Sequence, residues 1–314
     1  MPGQKSIRTL FNLTGLILVG FFIFISLRVF HPELMIGQFQ SLLQRPNVLI
    51  AITLLYGTAF ILRAAAWKLY LKNRASFRKC LAGLLYSLFV NHLSPVKAGD
   101  AVRAAVFKGD RNVSLGQAAH SVVVLRLLDM LVLIVFAGAG FALLLGSFGL
   151  NVPLVILLAC LAGAGLLLLW MKFPEFLRKQ TLQLKEGLHG VRGMAILCLI
   201  IVSWVLEAFV IFGVAAPGSL SFLESIWVNS VTVAGQVFQV TPGGVGTYES
   251  VMTAALVQTG EAVQEAYGYA VISHVFKFVF SYAGGLAAFL LLPLPVRELT
   301  TFMKRKERDR NGKS

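Results

Sequence analysis

Charge is scarce in this 314-residue chain: Asp, Glu, Lys and Arg make up 13% of it, against 57% hydrophobic residues. A soluble domain carries about 25% charged residues, so a water-soluble fold is excluded and a polytopic membrane protein is expected. Cysteine is scarce too. Cys80, Cys160 and Cys198 lie in or beside apolar segments without CxxC spacing, which excludes a disulfide or zinc framework. The five histidines, His31, His92, His120, His189 and His274, show no HxxxH or HExxH spacing. No DxD pair marks a glycosyltransferase metal site, and no Walker motif is present for ATP. No catalytic residue, metal or cofactor is therefore assigned.

Acidic residues are half as frequent as basic ones, and the net charge is +14. Nucleic acid is one partner for such a chain. The basic residues instead cluster between apolar segments, as topogenic charges do, and no nucleic-acid partner is expected. The basic start, Met1 to Arg8, leads into an apolar run to about Phe30. That run is too long for a signal peptide and no small-residue cleavage site follows, so it reads as a retained first helix.

Six segments are long and apolar enough to span: about 9–30, 47–67, 119–147, 152–171, 193–216 and 266–293. Of the 28 Lys and Arg, 23 fall in the N-terminus, residues 67–118, residues 172–192 and the basic tail 294–314. The alternate loops hold only Arg28 and Arg45, and Arg63, Arg126 and Lys277 lie inside spans. This asymmetry places both termini in the cytoplasm.

Two further apolar runs are too short to span. Cys80–Leu93 leads to Pro95 and Gly99, and Ile226–Val240 leads to Pro242 and Gly246. The first is bracketed by basic loops. The second lies in 217–265, whose only charged residues are Glu224, Glu249, Glu261 and Glu265. Each then reads as a re-entrant segment, one entering from each side. The expected fold is an all-α polytopic membrane protein of about six full spans plus two re-entrant half-helices. Its units, about 47–147 and 193–293, form an inverted-topology repeat within one transmembrane domain, 1–314. The competing reading makes both short runs thin spans, eight in all, and puts the Lys97–Arg111 cluster outside. Residues 250–259 also suit a second half-helix.

Pro95 and Pro242 end helices at membrane depth, and Gly243, Gly244 and Gly246 permit left-handed backbone and close approach to a ligand. Free N–H groups at such breaks suit an anion, and phosphate is the natural one in a membrane. Tight helix packing explains the glycines as well. The ionisable residues inside spans are Arg63, Arg126, Asp129, Glu207, His274 and Lys277. Each costs about 2.5–3.5 kcal/mol at mid-span, so each should face a cavity or a partner. Arg126 and Asp129, three apart, could simply pair with each other, and Arg63 could snorkel to the cytoplasmic edge. A lone membrane histidine is ordinarily a packing residue; here Lys277, three residues on, points to a cationic cavity wall. Asp100 and Arg103 follow the first break and Glu249 the second; both acids suit helix caps, a cationic headgroup or the cavity arginines.

These residues resemble the lysylphosphatidylglycerol synthase transmembrane-region family. Pro242, Gly243, Gly244, Gly246 and Glu249 match its second-half pattern, and Pro95, Gly99, Asp100 and Arg103 its first, with Asp100 for a glutamate. Arg126 is kept from a Glu-Arg pair whose acid is Leu125 here, and His274 stands where an arginine is usual. The resemblance implies a lipid flippase-like protein of a bacterial or archaeal plasma membrane, without the family's synthase domain and not an enzyme. Its substrate would be an anionic or aminoacylated phospholipid, or a polyprenyl-phosphate lipid. In that reading Arg103, Arg126, His274 and Lys277 bind phosphate, and Asp100, Glu207 and Glu249 balance them or meet a cationic headgroup. Arg63 lines the cytoplasmic mouth. Two other functions compete: a membrane enzyme acting on lipid phosphates, and a non-catalytic partner of a separate lipid synthase. Small-residue faces at Gly138–Gly140 and Gly284–Gly285 allow helix packing and a homodimer.

Overall fold

A computed structural model describes residues 31–94, 98–144, 185, 188–236 and 241–293. The expected spans 9–30 and 152–171, the tail 294–314, Cys160 and Pro95 lie outside the described residues. Within them the chain is helical and contains no strand.

The helices are α1 (Pro32–Leu43), α2 (Pro46–Tyr70), α3 (Phe77–Leu93), α4 (Gly99–Ala105), α5 (Leu115–Leu144), α6 (Gly190–Val214), α7 (Phe222–Gly235), α8 (Thr247–Gln258) and α9 (Val263–Leu291). Four of them, α2, α5, α6 and α9, are long and apolar enough to cross a membrane. They coincide with four of the six expected spans. The short helix α1 was not expected. Pro32 opens it, and Gln38 donates to the carbonyl of Glu265 at the start of α9.

The short apolar runs form α3 and α7, with shifted ends. Ser76 caps α3 by accepting from the Lys79 amide, so that helix begins three residues before Cys80. Ser221 and Glu224 form a reciprocal capping box that starts α7 at Phe222 rather than Ile226, and α7 ends at Gly235, not Val240. After each comes a break and a second short helix. α4 follows the first, and α8 follows a tight turn at Pro242–Gly244. The second half-helix expected near 250–259 is α8.

Two runs of four helices result, α2–α5 and α6–α9, and their packing matches with partners exchanged. α3 packs on α9 as α7 packs on α5, α4 on α5 as α8 on α9, and α2 lies along α6. The α2–α6 seam is close: a Cβ at Gly213 would lie 2.6 Å from Ile52 Cγ2.

The surface is apolar, and the mainly hydrophobic interior holds the buried charges. Ile50, Leu54, Ile61, Leu131, Ile134, Leu286 and Leu290 are exposed, while Arg103, Asp129, Glu207, Glu249, His274 and Lys277 are buried. A lipid-facing exterior around an ionic interior is the pattern the bilayer selects.

The small-residue faces are taken up inside the chain. A Cβ at Gly140 would lie 2.5 Å from Trp227, and those at Gly284 and Gly285 would meet Leu85 and Phe89 of α3 at 3.2 and 2.6 Å. These glycines seat neighbouring helices of the same chain; at Gly138 alone is the adjoining space open.

Candidate functional site

The two breaks meet around a cavity of about 140 Å³. Both halves line it: Arg63 from α2, Asp100 and Arg103 from α4, Arg126 and Asp129 from α5, Glu207 from α6, Gly243 from the second break, and His274 and Lys277 from α9. Nine of the residues singled out in the sequence thus share one space.

Glu207 joins two of the cavity's cations. One carboxylate oxygen accepts from Arg63 Nη2 at 2.7 Å and the other from Lys277 Nζ at 2.9 Å. Arg63 also donates to Ser203 Oγ, and its guanidinium lies 3.9 Å from the Trp204 ring centre. Arg63 therefore turns inward instead of snorkelling, because a carboxylate four residues beyond Ser203 on α6 offers a better partner than the interface. Lys277 lies 3.4 Å from Asn229 Oδ1 as well. Neither cation is a bare wall.

Arg126 and Asp129 do not pair. Asp129 Oδ1 accepts from Trp204 Nε1 at 3.0 Å, across the α5–α6 contact. Arg126 Nε is 3.8 Å from Asp100 Oδ2, and both side chains are about one-third exposed. This is the loosest ion pair of the cavity. Arg103 is buried with its guanidinium 4.3 Å from the Trp67 ring centre, and its Nε has no hydrogen-bond partner. An unpaired buried donor of this kind is costly, so it needs a reason.

The breaks are built differently. At the first, the Gly99 amide donates to Asn91 Oδ1, and a Cβ at Gly99 would lie 2.2 Å from the Ser87 carbonyl oxygen. At the second, Gly243, Gly244 and Gly246 have φ of 64°, 80° and 89°. Glu249 Oε2 accepts from the Gly246 amide at 2.6 Å, and Oε1 bonds His274 Nδ1 at 2.7 Å. The protein's own carboxylate thus takes the place at Gly246 where the sequence suggested an outside anion. His274 Nε2 lies 3.0 Å from the Gly243 carbonyl oxygen, and the ring stacks on Tyr248 at 4.1 Å. His274 is a bridge within the second break more than a free cation. Glu249 lies behind it and does not line the cavity.

Asn91, Trp204, Tyr248 and His92 line the cavity, and sequence reasoning missed them. A signal existed: Ser87 and Asn91 on α3, and Ser203 and Glu207 on α6, are polar pairs four apart within apolar helices.

The family model for the lysylphosphatidylglycerol synthase TM region matches residues 12–285. The chain belongs to that family. It is a multi-pass helical membrane protein whose family is tied to membrane-lipid metabolism. It is also 24% identical, over 260 residues, to the UPF0104 membrane protein PH1989 of Pyrococcus horikoshii, covering 68% of this chain and 77% of that one. No solved structure matches.

Proposed function

We propose that the protein is a lipid translocase, not an enzyme, passing an anionic, aminoacylated or polyprenyl-phosphate-linked headgroup through this cavity. The observation that carries the reading is the cavity's charge. Four basic side chains, Arg63, Arg103, Arg126 and Lys277, face three carboxylates, Asp100, Asp129 and Glu207. The excess suits one phosphate-borne negative charge. Arg126 and Arg103, the least committed cations, are its receptors, while Glu207 holds Arg63 and Lys277 in place. The lipid tails stay in the bilayer.

The exchanged packing of α2–α5 and α6–α9 supports an inverted repeat with α3 and α7 as re-entrant segments, and rocking of one unit against the other supplies alternating access. In this arrangement the full chain is one domain of six spans in the plasma membrane, with both termini cytoplasmic.

The test is leaflet exchange in liposomes carrying labelled phosphatidylglycerol, lysyl-phosphatidylglycerol or a short polyprenyl phosphate. Wild type should accelerate exchange of one of these, and Arg126→Ala should not. No acceleration of any lipid by folded wild-type protein would sink the proposal.

A further inference from the structure

We propose that the His274–Glu249 pair is a proton-binding site coupled to the anion in the cavity, so that proton and headgroup are bound together. This rests on the translocase reading and adds its co-substrate.

The argument starts from hydrogen-bond direction. The Gly243 carbonyl can only accept, so His274 Nε2 must carry a hydrogen to bond it. The other nitrogen faces a carboxylate oxygen at 2.7 Å, a contact that needs one more proton on one side or the other. With both protons in place the pair is neutral as a unit, whichever atom holds the shared one. Remove one, and either Nε2 turns a lone pair on the Gly243 carbonyl or Nδ1 turns one on the carboxylate. The pair then carries one negative charge.

That change reaches the cavity. With the pair neutral, the four basic and three acidic side chains leave one positive charge, ready for a phosphate monoanion. With the proton lost to water, the excess is cancelled and the anion loses its electrostatic reason to bind. It also loosens the second break, because the same carboxylate holds the Gly246 amide and the same ring holds the Gly243 carbonyl. The proton thus couples charge to backbone shape at one point. The groups facing the pair are Tyr248 on α8, stacked on the ring, His92 on α3, 6.3 Å away between ring centres, and Lys277 on its own helix. Lys277 is held by Glu207 of α6, and His92 Nδ1 faces its own helix carbonyl at Leu88. Neither bonds the His274 ring.

The experiment measures binding of short-chain phosphatidylglycerol to detergent-solubilised full-length protein across about pH 6 to 9. Obligatory linkage to one proton predicts affinity falling by up to about tenfold per pH unit once the pair deprotonates. His274→Arg carries a permanent charge and should remove the slope. In parallel, spectra of wild type labelled with nitrogen-15 histidine and carboxyl carbon-13 glutamate, which need no variant to fold, should show the shared proton while lipid is bound, as a second imidazole N–H on one buried histidine or as a protonated glutamate carboxyl. That histidine is assigned by its loss in His274→Arg or His274→Gln, whichever keeps the wild-type melting profile. Lipid that binds with the same affinity across the range, or one imidazole N–H together with an ionised carboxyl throughout, overturns the proton site and leaves the translocase standing. Absence of binding at every pH by this lipid and, tested the same way, by lysyl-phosphatidylglycerol and a short polyprenyl phosphate overturns both.

Discussion

The two breaks occupy equivalent places in the two runs of helices, yet one is tied shut and the other is left loose. At the second, which holds three left-handed glycines, Gly246 is pinned by Glu249, and Glu249 and the Gly243 carbonyl are held by His274. At the first, Asn91 holds Gly99, but Asp100 and Arg126 meet at 3.8 Å with a third of each side chain exposed, and Arg103 keeps an unpartnered Nε. The difference separates two uses of buried charge. In the second half it fixes backbone; in the first it stands ready for something else. A chain built from like units need not divide its labour evenly between them.

The largest effect should come from the residue that serves both halves. Glu207→Gln leaves Arg63 and Lys277 buried without their carboxylate. It should cost about 3–5 kcal/mol of stability, read as a lowered melting temperature in detergent. Adding Lys277→Met should recover part of that loss.

Next come the breaks themselves. Gly243→Ala places a Cβ 2.3 Å from the Phe278 ring and at a φ of 64°, which should cost about 1–3 kcal/mol. Gly99→Ala meets the Ser87 backbone oxygen instead. Truncating Phe278 to Ala should relieve the steric part of the first defect, whereas no side-chain truncation should relieve the clash with Ser87. Equal rescue in both would erase the structural contrast between the breaks.

Arg126→Ala should barely alter stability, by less than about 1 kcal/mol, because its pair is long and partly solvated. Lipid exchange should nonetheless be lost. A melting loss as large as that of Glu207→Gln would mean that the first break is as tightly tied as the second.

The smallest effect concerns the loop beyond α4. The Lys79 ammonium beside Asp110, with the amides of Asn112 and Val113, holds that carboxyl below its usual range. A depressed acid contributes stability above its ordinary titration range and loses it as pH falls through the lowered value. Wild type and Asp110→Asn should therefore differ at neutral pH, and their melting curves should converge in acid.

Much of this was legible in the sequence because the bilayer permits few solutions. A run ending at Pro242 with three glycines has to be a break, and six ionisable residues inside spans had to face a cavity or a partner. Their pairings were not legible. The spacing of Arg126 and Asp129 suggested a pair, but Trp204 on another helix supplies a buried N–H to Asp129 that no local pattern encodes. Likewise Arg63 near the end of its segment looked free to snorkel, and only the α2–α6 seam brings Glu207 within reach of it. Helix existence follows from composition, whereas side-chain partners follow from which faces meet.

The size of the cavity has its own consequence for a translocated headgroup. At about 140 Å³ it is small beside a fully hydrated headgroup. A charged headgroup would have to leave most of its hydration shell behind before fitting there. Discrimination among lipids would then follow the cost of dehydrating each headgroup as much as its charge, and a strongly hydrated competitor of the same charge would be turned away at the entrance.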